Sequence, residues 1–165
     1  MTLEQFNYIA EIIASIAVIA SLLYVGTQIK QNTRSTRLET IRDISSGFNS
    51  FYDTMAANRE LTDIWHRGAF NYQGLDETEK LRFTFAVVRV FRLEQEQFLQ
   101  WREGALDDDH WQSLSAQYTD AVQLPGWQEV WSRRKHHYTK GFQDYVGKLI
   151  AEGEGAKPLY DPPPA

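Results

Sequence analysis

The stretch YIAEIIASIAVIASLLYVGTQI, residues 8–29, decides the fold, because no other run in the chain is apolar and long enough to cross a bilayer. At about 1.5 Å per residue it would form a helix about 33 Å long, close to the hydrocarbon thickness of about 30 Å. The whole chain of 165 residues has a mean hydropathy of −0.47, so the remainder is polar. We therefore expect a membrane anchor joined to a water-exposed domain.

The charges that flank this stretch predict its orientation. Residues 1–29 contain Glu4 and Glu11 but no lysine or arginine, whereas a basic collar follows at Lys30, Arg34 and Arg37. Basic residues accumulate on the cytoplasmic side of membrane helices, which places the N-terminus outside and the C-terminal domain in the cytoplasm. The alternatives are a cleaved signal peptide, which would carry its basic residues before the apolar core, and a buried core helix. Topology alone accounts for the collar, although the same cations also suit anionic headgroups.

Hydrophobic periodicity predicts that the whole protein is all-α, because apolar residues recur at helical spacing and no segment alternates as a strand would. A transmembrane helix with a short outer N-terminus (residues 1–29) would continue as a juxtamembrane extension over 30–57. A cytoplasmic helical bundle would occupy 58–152, and a disordered Pro-rich tail 153–165.

Helix start and stop signals divide the bundle. Gly68 is expected to stop a short helix that begins near Arg59, and Asp76 with Glu79 forms a capping box for a helix over about 77–103. Asp107 or Asp108 would cap the next helix, and Pro125 would open another. The expected inward positions of the 77–103 helix are Phe83, Val87, Val90, Phe91, Glu94, Phe98 and Trp101.

One side of the anchor is small and polar, whereas the opposite side is isoleucine-rich. Membrane helices associate through small residues and polar contacts, so this side is a candidate surface for self-association. A repeat of 3.5 residues also favours a left-handed bundle. We define the polar seam as Glu11, Ala14, Val18, Ser21, Val25, Gln28 and Asn32. The alternative is that its alanines are ordinary membrane-helix residues and that Glu11 lies in the interfacial zone.

The sequence offers no catalytic constellation, and we expect neither an enzyme nor a cofactor. The chain has no cysteine, no Glu-x-x-His pair for a di-iron bundle, no phosphate loop and no G-x-S-x-G elbow. The acidic turn Asp107–Asp109 suits a helix start better than a metal site. The formal net charge of −5 gives no basic patch of the kind that binds nucleic acid.

Three further polar residues call for an explanation. Glu94 interrupts an apolar stripe, and we expect it to pair with Arg89, with Arg92, or with a partner helix. His136 and His137 are neighbours, which on an α-helix would diverge by about 100° and could not share a ligand.

The segment LLYVGTQIKQNTRSTR resembles the juxtamembrane stretch of a functionally uncharacterised family of short bacterial single-pass membrane proteins, which share a Q-I-[RK]-Q-N-T-like motif. That motif stands here at residues 28–33. Residues 75–77, 104–107 and 125–131 are also similar to that family's pattern. The resemblance implies a protein of the bacterial inner membrane and assigns no catalytic residues.

Three hypotheses about function follow. The favoured one is a single-pass membrane protein that self-associates through its N-terminal helix and presents a helical domain for assembly or for docking a protein partner. The second is a homo-oligomeric pore lined by the polar seam, with Glu11 as an outer ring that attracts cations. The third, which no constellation supports, is a membrane-tethered helical enzyme.

Overall fold

The computed structural model describes residues 3–153 and 161–162, except that the side chains of residues 3–6, 8–10 and Arg34 are not described. Within those residues the regular structure is entirely helical, as the periodicity predicts. The α-helices are α1 (Leu3–Ala57), α2 (Arg59–Phe70), α3 (Glu77–Arg102), α4 (Asp108–Ala121), α5 (Pro125–Arg134) and α6 (Lys140–Ala151), with short 3-10 helices at Tyr72–Gly74 and Lys135–His137.

The chain forms two compact units, Met1–Thr40 and Ile41–Ala165, and α1 contributes to both. The expected boundary of the helical bundle lay at residue 58, whereas the second unit begins within α1. Ile44 and Phe51 are buried in this unit, because the last turns of α1 carry apolar residues at helical spacing. The predicted tail lies mostly outside the described residues, although the backbone oxygen of Asp161 is 2.7 Å from the His66 ring.

The first unit is formed by the N-terminal part of α1, the one helix among the described residues that is long and apolar enough to cross a membrane. Its best 18-residue window has a mean hydropathy of 2.0. Its large aliphatic residues are exposed, with Ile16 at 60% and Leu23 at 68%. The hydroxyls of Ser15 and Thr27 donate to backbone oxygens of Glu11 and Tyr24 at 2.8 and 2.7 Å, so they are satisfied within the helix. Such a surface is typical of a helix in lipid.

The second unit is built around α3, and aromatic rings fill the space between its helices. Phe91 contacts Trp127 and Trp131 of α5, with ring centroids 5.4 and 4.9 Å apart. At the other end of α3, Trp101 stacks on Trp111 of α4 at 5.1 Å. All the expected inward residues of α3 are buried except Trp101, which is half-buried. The predicted helical stripe is therefore confirmed.

The predicted helix boundaries of the second unit depend on caps, and most are confirmed. Asp76 accepts from the Glu79 backbone N–H at 2.8 Å, and Glu79 accepts from the Asp76 N–H at 3.0 Å, which completes the capping box. Asp107 caps α4 by accepting from the His110 N–H at 2.9 Å. Gly104, with φ +75°, ends α3 in the left-handed region that glycine tolerates.

The prediction that Gly68 stops α2 is wrong. The helix continues to Phe70, and Gly68 is buried inside it. A Cβ atom at Gly68 would lie 2.5 Å from Cδ2 of Phe83 and 2.9 Å from Cδ1 of Leu75. A Cβ atom at Gly126 of α5 would overlap the Gly68 carbonyl oxygen. These glycines therefore serve close helix packing rather than helix termination.

The helix that Pro125 opens does not continue unbroken to Tyr138. The α-helix ends at Arg134, and the chain tightens into the 3-10 helix before Tyr138. Tyr138 is nevertheless buried, and its ring lies 5.2 Å from that of Trp131. The tighter 3-10 turn thus brings Tyr138 back against the part of the core where Trp131 lies.

We expect Gly126→Ala to destabilise the second unit by about 1–3 kcal/mol, because the added methyl group meets backbone that cannot rotate away. Gly147→Ala is the matched control, since Gly147 lies inside α6 with nothing within 4 Å of an added Cβ. That change should be neutral or stabilising by up to about 1 kcal/mol. Urea unfolding measures both, and equal effects would contradict the close-packing role of Gly126.

Candidate functional site

The seven residues of the polar seam all lie on α1 and are exposed. At about 100° per residue, their spacing confines them to an arc of about 100° on the helix surface. The continuous helix thus places them on one side, as the periodicity requires. Gln28 donates to the Tyr24 hydroxyl at 3.0 Å, which ties one seam residue to a neighbouring turn.

The basic collar follows the seam along the same helix. Lys30 is exposed and Arg37 is half-buried. Arg34 belongs to the helix, but its side chain lies outside the described part of the chain. The three cations follow directly on the apolar window, where the positive-inside rule expects them.

A second group of polar residues lies inside the second unit. We call Glu94, Gln97, Tyr118 and Tyr145 the buried polar cluster. Glu94 and Gln97 are 0% and 1% exposed and lie one turn apart on α3. Tyr118 of α4 is 3% exposed, and Tyr145 of α6 is half-buried. Three helices therefore converge on the polar side chains of this cluster.

The polar atoms of this cluster are poorly satisfied. Both carboxyl oxygens of Glu94, both amide atoms of Gln97 and the hydroxyls of Tyr118 and Tyr145 are buried without a hydrogen-bond partner among the described residues. Buried polar atoms are normally paired, because each unpaired one costs about 1–3 kcal/mol. Such a concentration of them in one place marks a candidate site.

Burial controls the protonation of these residues. Loss of hydration raises the pKa of Glu94 well above its usual range, and the Tyr145 hydroxyl only partly offsets this by favouring the charged form. That hydroxyl is close enough to act on the carboxyl group without reaching hydrogen-bond geometry. Burial, and secondly the proximity of Glu94, also raise the pKa values of Tyr118 and Tyr145.

The expected pairing of Glu94 with an arginine of its own helix is wrong. Among the described residues, no arginine forms an ion pair with Glu94, and Arg89 instead donates to the Ser50 hydroxyl at 3.1 Å. Helix geometry explains the difference, because Arg89 and Arg92 lie on the outer side of α3 while Glu94 faces the core.

A small cavity adjoins the cluster. It has a volume of about 40 Å³, enough for about one water molecule, whose share of liquid volume is about 30 Å³. Its lining includes Tyr118 and Trp127, and the indole Nε1–H of Trp127 is buried without a partner among the described residues. Tyr52 donates to Gln117 at 3.2 Å, and both of these residues line the cavity and are exposed. The cavity therefore reaches from the surface towards the cluster.

The two neighbouring histidines are not arranged as they would be on an α-helix. His136 and His137 lie in the 3-10 helix with ring centroids 4.1 Å apart, so they do not diverge as they would on an α-helix. Partial loss of hydration, followed by the charges of His136, Arg134 and Arg92, lowers the pKa of His137. The described residues contain no group of three histidine or acidic side chains that could hold a metal ion.

Sequence reasoning found one member of the buried polar cluster and missed the others. Glu94 was visible because a charged residue interrupted an apolar stripe at helical spacing. Gln97 lies one turn further along the same stripe, and a second polar residue at an inward position also indicates a buried polar group. Tyr118 and Tyr145 have the helical spacing of ordinary core aromatics, and only the packing of α4 and α6 on α3 brings their hydroxyls towards Glu94.

No protein-family model, curated protein or solved structure matches this chain.

Proposed function

We propose that the protein is a single-pass membrane protein that self-associates through the polar seam of α1 and presents its helical domain for assembly or for docking a protein partner. The observation that carries this proposal is a continuous helix with an apolar window of mean hydropathy 2.0 and a small, polar strip along one side. A lone anchor needs no such strip, since lipid contacts favour an aliphatic surface all round.

The polar content of the seam supports an interface more than a lipid contact. Glu11 is ionisable, and Ser21, Gln28 and Asn32 each carry hydrogen-bonding groups on the same side. In lipid such groups are better tolerated when they face a partner helix or water. Ala14 allows close approach of a second backbone, and Val18 and Val25 supply packing between the polar positions.

The basic collar supports an orientation with the N-terminus outside and the second unit in the cytoplasm, which in a bacterium places the protein in the inner membrane. The seam and the collar lie on one helix, so insertion of that helix in a membrane sets the position of both. Experiments should therefore use the full chain in a bilayer.

We expect wild-type protein in lipid nanodiscs or native-like vesicles to form a defined oligomer, and Ala14→Ile to weaken it by about tenfold, or about 1.4 kcal/mol. Ala20→Ile is the matched control, since it adds the same bulk about 130° away from the middle of the seam. Single-molecule photobleaching counts the subunits. A wild-type monomer at every protein-to-lipid ratio, or equal effects of the two substitutions, would overturn self-association through the seam.

Orientation has a simple test, because the chain has no cysteine of its own. A membrane-impermeant maleimide should label Asn7→Cys in intact cells but label Glu103→Cys only after the membrane is opened. Both positions are exposed. The reverse pattern would show that the second unit lies outside.

A conducting pore is the second candidate, and the observation that favours it is the ionisable Glu11 at one end of a seam that also holds Ser21 and Gln28. In a ring of helices, repeated carboxylates would attract cations. We expect cation conductance in planar bilayers to fall in Glu11→Gln if the oligomer conducts. A stable oligomer without conductance would leave assembly as the function.

A further inference from the structure

We propose that the buried polar cluster of the second unit is a proton-binding site, in which Glu94 is a neutral carboxylic acid while the domain is folded and ionises when the surrounding helices separate. The proposal is independent of membrane insertion and self-association. It starts from position: the Glu94 side chain is 0% exposed, and neither of its oxygens has a hydrogen-bond partner among the described residues.

The surroundings of Glu94 supply no balancing positive charge. Three of the titratable groups near Glu94 are phenols: Tyr118 from α4, Tyr145 from α6 and Tyr138 before α6. Tyr52 of α1 acts on Tyr118, and the exposed Arg92 of α3 acts on Tyr138 but not on the Glu94 carboxyl group. Within the described residues no lysine, arginine or histidine influences the Glu94 carboxyl group. An ionised carboxylate would therefore be buried without compensation, which is among the most costly arrangements in a protein.

A proton removes this cost. Protonation makes the carboxyl group neutral and gives it an O–H donor, while its other oxygen remains an acceptor. The Tyr145 hydroxyl, which acts on this carboxyl group, and the Gln97 amide, one turn further along α3, are then complementary neighbours. On ionisation the proton passes to bulk water, so the process is a simple acid dissociation with no further reactant.

Proton binding and folding are then linked, and the direction of the linkage is fixed. Burial raises the pKa of Glu94 in the folded state above its value of about 4.3 in an unfolded chain. Between the two values the folded state holds more protons than the unfolded state. The contribution of the Glu94 proton to the free energy of unfolding is complete below a pH of about 4.3. It declines as the pH rises towards the pKa of Glu94 in the folded state. Over this range the unfolding constant increases by up to about tenfold per pH unit.

Tryptophan fluorescence can follow this linkage in the full chain reconstituted in nanodiscs. All five tryptophans lie between residues 65 and 131, so urea unfolding followed by fluorescence reports on the second unit alone. We expect Glu94→Gln, a neutral side chain of the same shape, to remove the linkage. The ratio of wild-type to Glu94→Gln unfolding constants should therefore rise between pH 5 and pH 8, by up to about tenfold per unit.

Glu96→Gln is the matched control, since Glu96 is an exposed glutamate on the same helix, two residues away. Its ratio to wild type should stay constant over the same pH range. A constant ratio for Glu94→Gln as well would overturn the proposal, because it would mean that Glu94 titrates alike in the folded and unfolded states.

A measurement on wild-type protein keeps the test independent of whether the variant folds. Infrared spectroscopy at pH 7 should show the carbonyl stretch of a buried, protonated carboxylic acid, which exposed carboxylates lack at this pH. Absence of that band would overturn the proposal. So would wild-type stability that rises specifically with K⁺ or Na⁺ and is lost in Glu94→Gln, because a metal cation rather than a proton would then balance the charge.

Discussion

The second unit depends on the burial of one face of α3 against aromatic rings from α2, α4, α5 and α6. Phe91 meets two tryptophans of α5, and Phe98 stacks on Tyr145 of α6 at 5.1 Å. Aromatic side chains bury a large area with few rotatable bonds, which suits a domain of modest size. Helices α2 and α5 approach closely at Gly68 and Gly126, and Trp65 of α2 lies 5.4 Å from Trp127 of α5 between ring centroids.

The same face of α3 also carries Glu94 and Gln97 of the buried polar cluster. Aromatic packing and buried polar groups therefore lie side by side in the core. Aromatic packing excludes water and stabilises the fold, and for that reason it makes the ionised form of Glu94 costly. Glu96 is exposed on the same helix, so it neither takes part in the aromatic packing nor loses its hydration. The stability of the packing and the protonation of Glu94 are therefore linked through one physical cause, the removal of water from α3.

The first unit follows the opposite rule, because its aliphatic residues are exposed rather than buried. Isoleucines such as Ile12 and Ile16 are each 60% exposed on α1, which in water would be unfavourable and in lipid is ordinary. The hydroxyls of Ser15, Thr27 and Thr33 donate to backbone oxygens of their own helix, so they require no water. The proposed assembly would use the remaining polar groups of the seam.

Local patterns were enough to predict much of the second unit. The capping box at Asp76, the cap at Asp107 and the inward stripe of α3 depend on residues a few positions apart, and these predictions are confirmed. The predictions that Gly68 stops α2 and that Glu94 pairs with an arginine of its own helix failed, because both depend on contacts with other helices. A glycine inside a helix looks like a stop signal until a neighbouring backbone is known to lie against it.

The sequence by itself thus determined the helical class, the apolar run and the polar seam, because all three follow from spacing along one chain segment. Only the tertiary structure decided what surrounds Glu94. Tyr118 and Tyr145, which lie close enough to Glu94 to interact with it electrostatically, stand 24 and 51 residues further along the chain. The electrostatic environment of a buried carboxyl group depends on such distant neighbours and on the exclusion of water, which no local pattern encodes.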